Sequence, residues 1–411
     1  MTPDTPRPGD MRPRILINMH YMEIGGAERA LLGLLEAIDT ERVDVDLFVN
    51  QHTGPFMGLI PEKINLLPEI PAYSAIERPM RDIVREGHWL IAWRRWRARR
   101  RYRRYLRSLP PDKACRDGSA GHYWMSEVVR SLPSLRRLGT YDLAISFITP
   151  GYIVQQKVLA RRKAEWIHTD YATVGMDVEL TRPDWEANDR IVSISPDVTR
   201  SFLSLYPGLE NKIVEIENIL SPERIRREAD LLDVSAEMPA GPLRLLSVGR
   251  YCHAKNFESI PAILARMLAR GVDAVWYIIG YGDDSMLRRS IAEAGMEGRV
   301  VLLGRKDNPY PYIKACDIYV QPSRYEGKSV TVREAQILCR PVAITDYATA
   351  RSQVTDGTDG IVMPMDTDAC AEALSTLASD GPMRGRLSAY LSSHDYGNEA
   401  EINKLYALVG A

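Results

Sequence analysis

The sequence contains only five cysteines, and their placement excludes several classes of protein. They are scattered, with no CxxC pair and no metal-ligand spacing: Cys115, Cys252, Cys316, Cys339 and Cys370. Small secreted domains carry cysteines at disulfide spacing, and structural zinc sites carry them in close pairs. The pattern therefore favours a reducing compartment and indicates no metal site built on cysteine.

Long apolar runs and an excess of charge are also missing. No uninterrupted apolar stretch approaches the roughly 18 residues that a membrane-spanning helix needs. Lys and Arg number 53 against 54 Asp and Glu, so the net charge of −1 gives no global argument for nucleic acid or an acidic substrate. Residues 1–13 are rich in Pro, show no secretory signal, and predict a disordered tail. We expect a cytoplasmic protein, attached at most to the inner face of the cell membrane.

The chain does contain enough residues, 411, for two or three domains. In its first part, strand and helix patterns alternate, which predicts a doubly wound parallel sheet covered on both faces. Strands are expected at 14–19, 43–50, 141–147, 164–168, 190–194 and 212–217, and helices at 27–38, 151–162 and 196–206. We predict an N-terminal domain over 14–222, with a basic helical insertion at about 75–135, where no strand pattern is convincing.

The second part repeats this plan after a charged segment rich in Pro and Gly, residues 223–242, which predicts a linker. Strands are expected at 243–248, 274–279, 299–303, 317–320 and 341–344, and helices at 257–270, 284–294, 309–315, 330–338 and 367–379. We predict a C-terminal domain over 243–384 and a final helix over 385–411 that packs back toward the N-terminal domain.

Two cations follow the first strand of the second domain. In open parallel sheets, ligands bind at the carboxyl ends of the strands, where helix N-termini attract anions. The stretch SVGRYCHAKNF, residues 247–257, predicts a strand that ends at Val248, a turn at Gly249, and then Arg250 and Lys255 before a helix. Two cations there suit a diphosphate, which we favour over a pair of solvated surface charges.

Three further strand ends have two interpretations each. Gly25 and Gly26 allow either a close backbone approach to a ligand or a plain tight turn, and the same holds for the glycines of IIGYGDD, residues 278–284. His168 closes a strand and is equally compatible with a functional and a structural role. The Asp-x-Asp sequence at 44–46 resembles a metal signature, but it opens an alternating strand, so we assign its acids to the solvent face.

The stretch SRYEGKSVTVREAQ, residues 323–336, places one glutamate on a loop and another on the helix that follows. Glu326 comes after a strand that ends at Pro322, so it lies where a ligand is expected. Glu334 lies one turn into the helix, where a carboxylate can accept hydrogen bonds from both hydroxyls of a ribose. The alternative for Glu334 is a solvated residue that complements the helix dipole.

Together these residues resemble the GT-B glycosyltransferases, and among them glycosyltransferase family 4. The matching positions are Glu326 and Glu334 for the Glu-x7-Glu motif, Gly249, Arg250 and Lys255 for a Gly-Arg followed by Lys, and Gly25 and Gly26 for a Gly-Gly turn after the first strand. The resemblance implies an α/β protein of two Rossmann-like doubly wound domains that face each other across a cleft. It also implies a retaining mechanism that needs neither a metal nor another cofactor.

The resemblance further implies roles for single residues. Glu326 and His168 are expected to act at the donor sugar, Arg250 and Lys255 at the diphosphate, and Glu334 at the ribose. The other donor-binding positions are Gly25, Gly26, Arg305, Gly327, Lys328, Ser329 and Val330. Many family members have Gly-Phe-Gly after the first glutamate where this chain has Gly-Lys-Ser, which leaves the donor sugar open.

The implied reaction moves a hexosyl unit from a nucleotide-diphosphate sugar to a saccharide acceptor, in surface polysaccharide or glycolipid synthesis. A UDP-sugar is the favoured donor, and GDP-mannose is possible. Two alternatives stay open: a GT-B epimerase acting on UDP-sugars, and a non-catalytic sugar-nucleotide-binding partner of another transferase.

The insertion indicates a further partner. Residues 94–107 hold nine arginines, with Trp89, Trp93 and Trp96 before and among them. On a helical wheel the tryptophans share their face with later arginines, so we expect a bend or two packed pieces rather than one straight amphipathic helix. We favour contact of residues 89–109 with an anionic membrane, and hence a lipid-linked acceptor, over a solvated structural helix or a nucleic-acid site.

Overall fold

The chain divides into two compact units, which we describe separately. The computed structural model describes residues 12–23, 25–76, 78–115, 117–168, 171, 174–326 and 328–410. Unit 1 comprises Met1–Ile219 and Glu399–Ala411, and unit 2 comprises Leu220–Asn398. Residues 1–11 of the predicted tail lie outside the described residues. Next to them, Arg12 forms an ion pair with Asp44 at 3.1 Å.

Unit 1 contains a parallel sheet of seven strands with helices around it. The strands are β1 (Arg14–Met19), β2 (Asp44–Val49), β3 (Asn65–Leu66), β4 (Thr140–Ser146), β5 (Leu159–Ile167), β6 (Arg190–Ser193) and β7 (Ile213–Glu215). The helices are α1 (Gly26–Ala37), α2 (Pro71–Ser74), α3 (Met80–Arg85), α4 (Trp89–Ser108), α5 (Pro111–Ala114), α6 (Ala120–Val128), α7 (Tyr152–Lys157), α8 (Val178–Glu186), α9 (Pro196–Leu205) and, at the end of the chain, α17 (Ile402–Val409).

The strand order in unit 1 is β3-β2-β1-β4-β5-β6-β7. The chain first moves outward from β1 to β3 and then continues from β4 on the other side, which is the doubly wound arrangement. β1 pairs with β2 through Arg14 and Asp44, and with β4 through Ile15 and Leu143. Near-continuous apolar sequences such as that of β1 fit strands covered on both faces.

The helix predicted at 151–162 is shorter than expected. It is α7, which ends at Lys157, and β5 already begins at Leu159. The first half of β5 carries exposed cationic side chains, including Arg161 and Arg162. The first half of β5 therefore lacks the apolar pattern of a buried strand, since only residues 164–167 are fully buried.

The described residues of the insertion fold as four α-helices, α3 to α6, and the division into two pieces that was an option for its basic stretch was wrong. α4 is a single helix of 20 residues. Its buried positions recur every three or four residues and include an arginine: Ile91, Ala92, Arg95 and Ala98. The Arg95 guanidinium lies 4.2 Å from the centre of the Trp124 ring and donates to the Ala75 carbonyl. The tryptophans and later arginines do share one face, but both are exposed there, so a single helix accommodates them.

Unit 2 contains a second parallel sheet, of six strands in the order β10-β9-β8-β11-β12-β13. The strands are β8 (Leu243–Tyr251), β9 (Ala274–Gly282), β10 (Val300–Gly304), β11 (Ile318–Gln321), β12 (Val342–Thr345) and β13 (Ile361–Met363). The helices are α10 (Pro222–Ala229), α11 (Ile260–Ala269), α12 (Ser285–Glu293), α13 (Tyr310–Ala315), α14 (Val330–Ile337), α15 (Thr367–Ser379) and α16 (Gly381–Ser392).

The two units end at positions that differ from the predicted boundaries. The predicted linker, residues 223–242, contains most of α10, and Ile225 and Ala229 of that helix lie in the core of unit 2. The final helix predicted over 385–411 is two helices, because the polar stretch after α16 interrupts it. α16 belongs to unit 2, whereas α17 inserts Leu405 into the core of unit 1. In the described part of the chain, no helix combines the length and apolar character needed to cross a membrane.

Candidate active site

Two charged side chains meet at the carboxyl ends of neighbouring strands in unit 2. β8 and β11 pair in parallel through Leu245 and Ile318, so the loops that follow them leave the sheet side by side. The Lys255 ammonium donates to Glu326 Oε1 at 2.6 Å. The two side chains are only 18% and 14% exposed, so water screens this pair less than it screens a surface pair. The structure thus brings together two residues that were predicted from separate motifs.

Arg250, the other predicted cation, lies on the strand and not in the loop. β8 continues past its predicted end at Val248, because its pairing with β9 extends through Gly249 and Gly280. A Cβ atom on Gly280 would lie 2.4 Å from the Gly249 carbonyl oxygen, so this approach of the two strands requires glycine. The predicted turn at Gly249 was therefore wrong, and the exposed Arg250 side chain extends from the end of the sheet.

The helix after the glutamate loop, α14, begins at Val330. Amides in the first turn of a helix have no acceptor within the helix and can bind an anion. The Ser329 amide, however, donates to Gln353 Oε1 at 3.0 Å. This amide is therefore occupied by a side chain of the protein. Lys328 is partly exposed, and the predicted Gly327 lies outside the described residues.

Glu334 is fully buried within unit 2. Its Oε1 accepts a hydrogen bond from the Tyr310 hydroxyl, on α13, at 3.0 Å. The alternative of a solvated residue near the helix N-terminus is therefore wrong. A buried carboxylate needs hydrogen-bond donors, and Tyr310 supplies one from a segment that the spacing of the motif could not indicate.

Arg305 lies at the same edge of the sheet as the ion pair. It follows β10, and its guanidinium lies 5.5 Å from the centre of the Tyr281 ring, near the end of β9. β9 and β10 are neighbours in the sheet, which explains why two residues 24 positions apart meet. The Tyr281 side chain is 40% exposed, so the pair forms part of the surface at this edge.

Arg324 holds the glutamate loop to the loop after β8, and the sequence analysis missed it. Its backbone amide donates to the Ala254 carbonyl at 2.8 Å. Its guanidinium donates to the His253 carbonyl at 2.8 Å and to Glu258 Oε1 at 2.7 Å. No spacing rule marks such a residue, because all three partners come from another segment.

Gln321 and Ser323 contact Glu326 directly and were also missed. Gln321 Nε2 and Ser323 Oγ donate to Glu326 Oε1 at 3.1 Å and 2.6 Å. The backbone carbonyl of Glu326 in turn accepts a hydrogen bond from the Thr349 hydroxyl at 2.9 Å. A signal was present in the sequence, since polar residues at the end of a buried strand need partners.

In unit 1, the predicted residues lie at the carboxyl ends of β1 and β5, which flank β4 in the sheet. Gly25 caps α1 and Gly26 is the first residue of that helix. A Cβ atom on Gly25 would lie 2.1 Å from Glu28 Oε2, whereas one on Gly26 would meet nothing within 4 Å. The Glu28 side chain therefore fills the space beside the first glycine, and open space lies beside the second.

His168 follows β5 directly and packs on aromatic rings. Its ring centre lies 4.7 Å from that of Phe147, and the ring is parallel to Trp166 within 7°. Burial lowers the pKa of His168 to about 4, against the opposing effect of a hydrogen bond with the backbone of Phe147. Among the described residues, His168 Nε2 has no hydrogen-bond partner. The imidazole is therefore neutral near pH 7 and offers one nitrogen for a ligand.

The Asp-x-Asp sequence lies at the start of β2, at the opposite edge of the sheet from the carboxyl ends. Asp44 is exposed, as predicted, but Asp46 is partly buried and accepts hydrogen bonds from Arg14 (3.0 Å), Asn65 (2.6 Å) and Tyr141 (2.5 Å). The assignment of both acids to the solvent face was therefore wrong for Asp46. Where the structure describes the chain, no three metal-ligating side chains cluster.

A part of unit 2 matches the model of a known family. Residues 242–380 match the family model described as "Glycosyl transferases group 1". The matched segment lies within unit 2 and contains Lys255, Glu326 and Glu334.

Curated relatives resemble parts of the chain. The lipopolysaccharide core biosynthesis glycosyltransferase LpsE of Rhizobium meliloti is 26% identical over 49% of this chain. The alpha-D-kanosaminyltransferase of Streptomyces kanamyceticus is 30% identical over 35% of it. A 4-alpha-N-acetylgalactosaminyltransferase of Campylobacter jejuni, whose name specifies a diphospho-undecaprenol substrate, is 32% identical over 34% of it. The chain spans 57%, 38% and 38% of the length of these relatives.

Solved structures resemble almost the whole chain. HepE from Anabaena in complex with UDP-glucose has a TM-score of 0.65 at 15% identity, over 96% of this chain and 98% of its own. TarM has a TM-score of 0.65 at 10% identity, over 98% of this chain and 99% of its own. At these identities the likeness concerns the fold alone. The predicted fold class, GT-B with two Rossmann-like parallel-sheet domains, is confirmed.

The neutral state of His168 predicts a pH dependence of stability. Between its folded pKa of about 4 and the ordinary value of about 6.5, the unfolded chain binds a proton that the folded chain does not. Stability is therefore lost as the pH falls through this window. We expect the parent protein to lose more free energy of unfolding between pH 7 and pH 5 than His168→Gln, measured by urea denaturation. The exposed His394→Gln serves as the control, and equal losses in the parent and His168→Gln would contradict the assignment.

Proposed function

We propose that the protein is a retaining glycosyltransferase that moves a hexosyl unit from a nucleotide-diphosphate sugar to a saccharide acceptor. The observation that carries this proposal is the Lys255–Glu326 pair at the carboxyl ends of β8 and β11, inside the segment that matches the glycosyl transferase model. A UDP-sugar is the favoured donor and GDP-mannose the second choice. The UDP-glucose complex of HepE supports the first.

Lys255 and Arg250 bind the donor diphosphate in this proposal. Negative charge develops on the diphosphate as its bond to the sugar breaks, and fixed cations and helix-terminal amides stabilise that charge. The lysine ammonium is a compact charge on a flexible stem, so it can move from Glu326 to a phosphate oxygen. The first turn of α14, from Val330, supplies amides on the other side of the same loop.

The nucleoside lies toward Glu334 and Arg305. A carboxylate has about four acceptor positions, so Glu334 can accept hydrogen bonds from ribose hydroxyls in addition to the one from Tyr310. Arg305 and Tyr281 form a cation–aromatic surface at the neighbouring strand ends. Such a pair can stack with a planar ring, which suits a nucleobase.

The reaction needs no metal in this account, because the lysine, the arginine and the helix amides meet the charge. The bond between sugar C1 and the diphosphate oxygen breaks with its electron pair going to the diphosphate. The acceptor hydroxyl oxygen bonds to C1 on the same face, and its proton leaves with the nucleoside diphosphate. Glu326 stands beside the oxocarbenium-like sugar, and the neutral imidazole of His168 is a further candidate to hydrogen-bond a sugar hydroxyl.

The acceptor is a lipid-linked saccharide at the cytoplasmic face of the membrane, in surface polysaccharide or glycolipid synthesis. The names of LpsE, for lipopolysaccharide core synthesis, and of the Campylobacter jejuni enzyme, for a diphospho-undecaprenol substrate, support this class. Within the chain itself, the support comes from the outward face of α4.

The outward face of α4 is apolar in its first two turns. Trp89, Leu90, Trp93 and Trp96 are 66%, 54%, 48% and 50% exposed. Large exposed apolar side chains in one patch are unusual on a protein that meets only water. Tryptophan is typical of the interface between a membrane and water, where its ring is apolar and its N–H remains hydrated.

Apart from the buried Arg95, the arginines of α4 form two groups. Glu127 of α6 is 2% exposed and binds the first group, Arg94, Arg97 and Arg101, at 3.9, 3.6 and 2.6 Å. The second group is exposed and has no carboxylate partner among the described residues: Arg99, Arg100, Arg103, Arg104 and Arg107. Five uncompensated cations beside exposed tryptophans complement an anionic membrane surface.

α6 also connects α4 to the carboxyl edge of the unit 1 sheet. Just before α6, Ser119 Oγ accepts a hydrogen bond from the Asp177 amide, in the loop after β5, at 2.6 Å. The Tyr123 hydroxyl of α6 donates to Asp177 Oδ2, also at 2.6 Å. Because His168 begins the same loop, a membrane bound by α4 would present its acceptor near this edge of the sheet.

The reaction itself is tested with purified protein, a panel of UDP-, GDP- and ADP-sugars, and saccharide acceptors. We expect transfer with retention of the anomeric configuration, and the same rate with and without EDTA. Interconversion of UDP-sugars without an acceptor would favour the epimerase instead. Neither transfer nor hydrolysis of any donor would favour a non-catalytic partner, and strict dependence on a divalent ion would contradict the metal-free account.

Glu334→Gln tests the nucleoside site. A carboxylate accepts both ribose hydroxyls, whereas an amide presents a donor group to one of them, and hydrogen bonds to charged groups are worth roughly 1.5–3 kcal/mol. We expect the affinity for the donor nucleotide, measured by calorimetry, to fall about tenfold or more. Glu372→Gln, an exposed substitution on α15, is the matched control. Unchanged affinity in Glu334→Gln would refute the ribose assignment.

Sedimentation with liposomes tests the membrane face. Binding is expected to rise with the fraction of anionic lipid, to fall with salt, and to drop at least about tenfold when Arg99, Arg100, Arg103, Arg104 and Arg107 become Gln. The control replaces five exposed arginines elsewhere, at 161, 190, 270, 289 and 351. Equal recovery in the supernatant with neutral and anionic liposomes at low salt would exclude the membrane and leave a soluble acceptor.

A further inference from the structure

The Glu326 carboxylate is held by more than its lysine. Three donors converge on the same oxygen, Oε1: Lys255 Nζ at 2.6 Å, Ser323 Oγ at 2.6 Å and Gln321 Nε2 at 3.1 Å. The lysine reaches it from another loop on a flexible stem. Gln321 instead is the last residue of β11, Ser323 follows it by two positions, and both are fully buried.

Hydrogen bonds to its oxygen fix the orientation of the Gln321 amide. Its Oε1 accepts hydrogen bonds from the Tyr319 hydroxyl at 2.8 Å and from Thr331 Oγ1 at 3.4 Å. Its Nε2 donates to Ser323 Oγ at 2.8 Å as well as to Glu326. With two donors on the oxygen, the nitrogen must face the glutamate, so the amide cannot flip without losing these bonds.

The hydrogen bonds from Tyr319 to Glu326 therefore form a series in which every donor points in the same direction. The Tyr319 hydroxyl donates to Gln321, Gln321 donates to Ser323, and Ser323 donates to Glu326. Tyr319 is also fully buried, so this series of hydrogen bonds is shielded from water along its length. Buried hydrogen bonds in series orient one another, and a fully satisfied network fixes the geometry of its last member.

The same network reaches the first turn of α14. Thr331, whose hydroxyl donates to Gln321, shares a hydrogen bond of 3.1 Å with Ser329 Oγ. One side chain of the strand thus connects the loop carboxylate with the helix start that follows it. A movement of the Glu326 carboxylate or of the start of α14 is therefore resisted by the other.

We propose that Gln321 and Ser323 are positioning residues that hold Glu326 in its reactive place while Lys255 exchanges its carboxylate partner for the donor diphosphate. The inference rests on the proposed function. When the lysine moves to the phosphate, Glu326 Oε1 keeps two of its three donors. The carboxylate therefore stays beside the sugar when the charge that neutralised it has left.

Kinetics of two variants test this inference. Ser323→Ala and Gln321→Leu each remove one fixed donor without adding a charge. We expect kcat to fall about tenfold or more in each, with the KM for the donor changed less than about threefold, because the lost bond orients a group that acts in the transition state. Ser375→Ala, a buried serine that donates only to a helix carbonyl on α15, is the matched control. Parental kcat in both variants would overturn the proposal.

A third variant gives a readout that general destabilisation does not produce. Gln321→Glu places a second carboxyl about 3 Å from Glu326, and two carboxylates at that distance do not both ionise readily. We expect the pH at which kcat/KM falls on the acid side to rise by about one unit. A pH profile that coincides with that of the parent would mean that Gln321 does not face Glu326 in the working enzyme.

Crystal structures of Ser323→Ala and Lys255→Met separate this inference from the proposed function, since they need no activity. The proposal requires Glu326 to keep its position in Lys255→Met and to lose it in Ser323→Ala. The reverse result would overturn it even in an active enzyme. Conversely, the expected pair of structures in a protein without transferase activity would support the positioning role and count only against the proposed reaction.

Discussion

Parallel pairing of β8 with β11 is the constraint on which the candidate site depends. It brings two loops from distant parts of the sequence to one edge of the sheet, where Lys255 and Glu326 meet at 2.6 Å. A mostly buried ion pair is costly to leave with one partner, so whatever takes the lysine must bring its own negative charge. A diphosphate does so, which connects the architecture of unit 2 with the chemistry proposed for it.

In unit 1, parallel pairing also brings strand ends to one edge of a sheet, but the residues there differ in chemistry. The carboxyl edge of its sheet carries open space at Gly26 and the neutral imidazole of His168. The insertion is attached beside that edge through Ser119 and Asp177. Unit 2 thus carries the Lys255–Glu326 pair, whereas unit 1 combines open space beside a helix start with an exposed helix of tryptophan and arginine.

Sequence patterns predicted most strands of both units and several of their helices, because apolar periodicity reports directly on burial. They failed where a charged or polar residue is buried. Arg95 lies on the inward stripe of α4, and Asp46 is partly buried among partners from other strands. Each depends on a partner from another segment, which no local window contains. The boundaries failed for the same reason, since α10 and α17 are assigned by what they pack against.

The most direct measurement of the central claim is a crystal structure of the full chain with UDP or GDP bound. The account predicts that the diphosphate lies within about 3 Å of Lys255 Nζ and of an amide at the start of α14, with the Lys255–Glu326 contact broken. It also predicts that Glu326 remains bonded to Ser323. A nucleotide bound elsewhere, with the ion pair intact at its present 2.6 Å, would contradict the account.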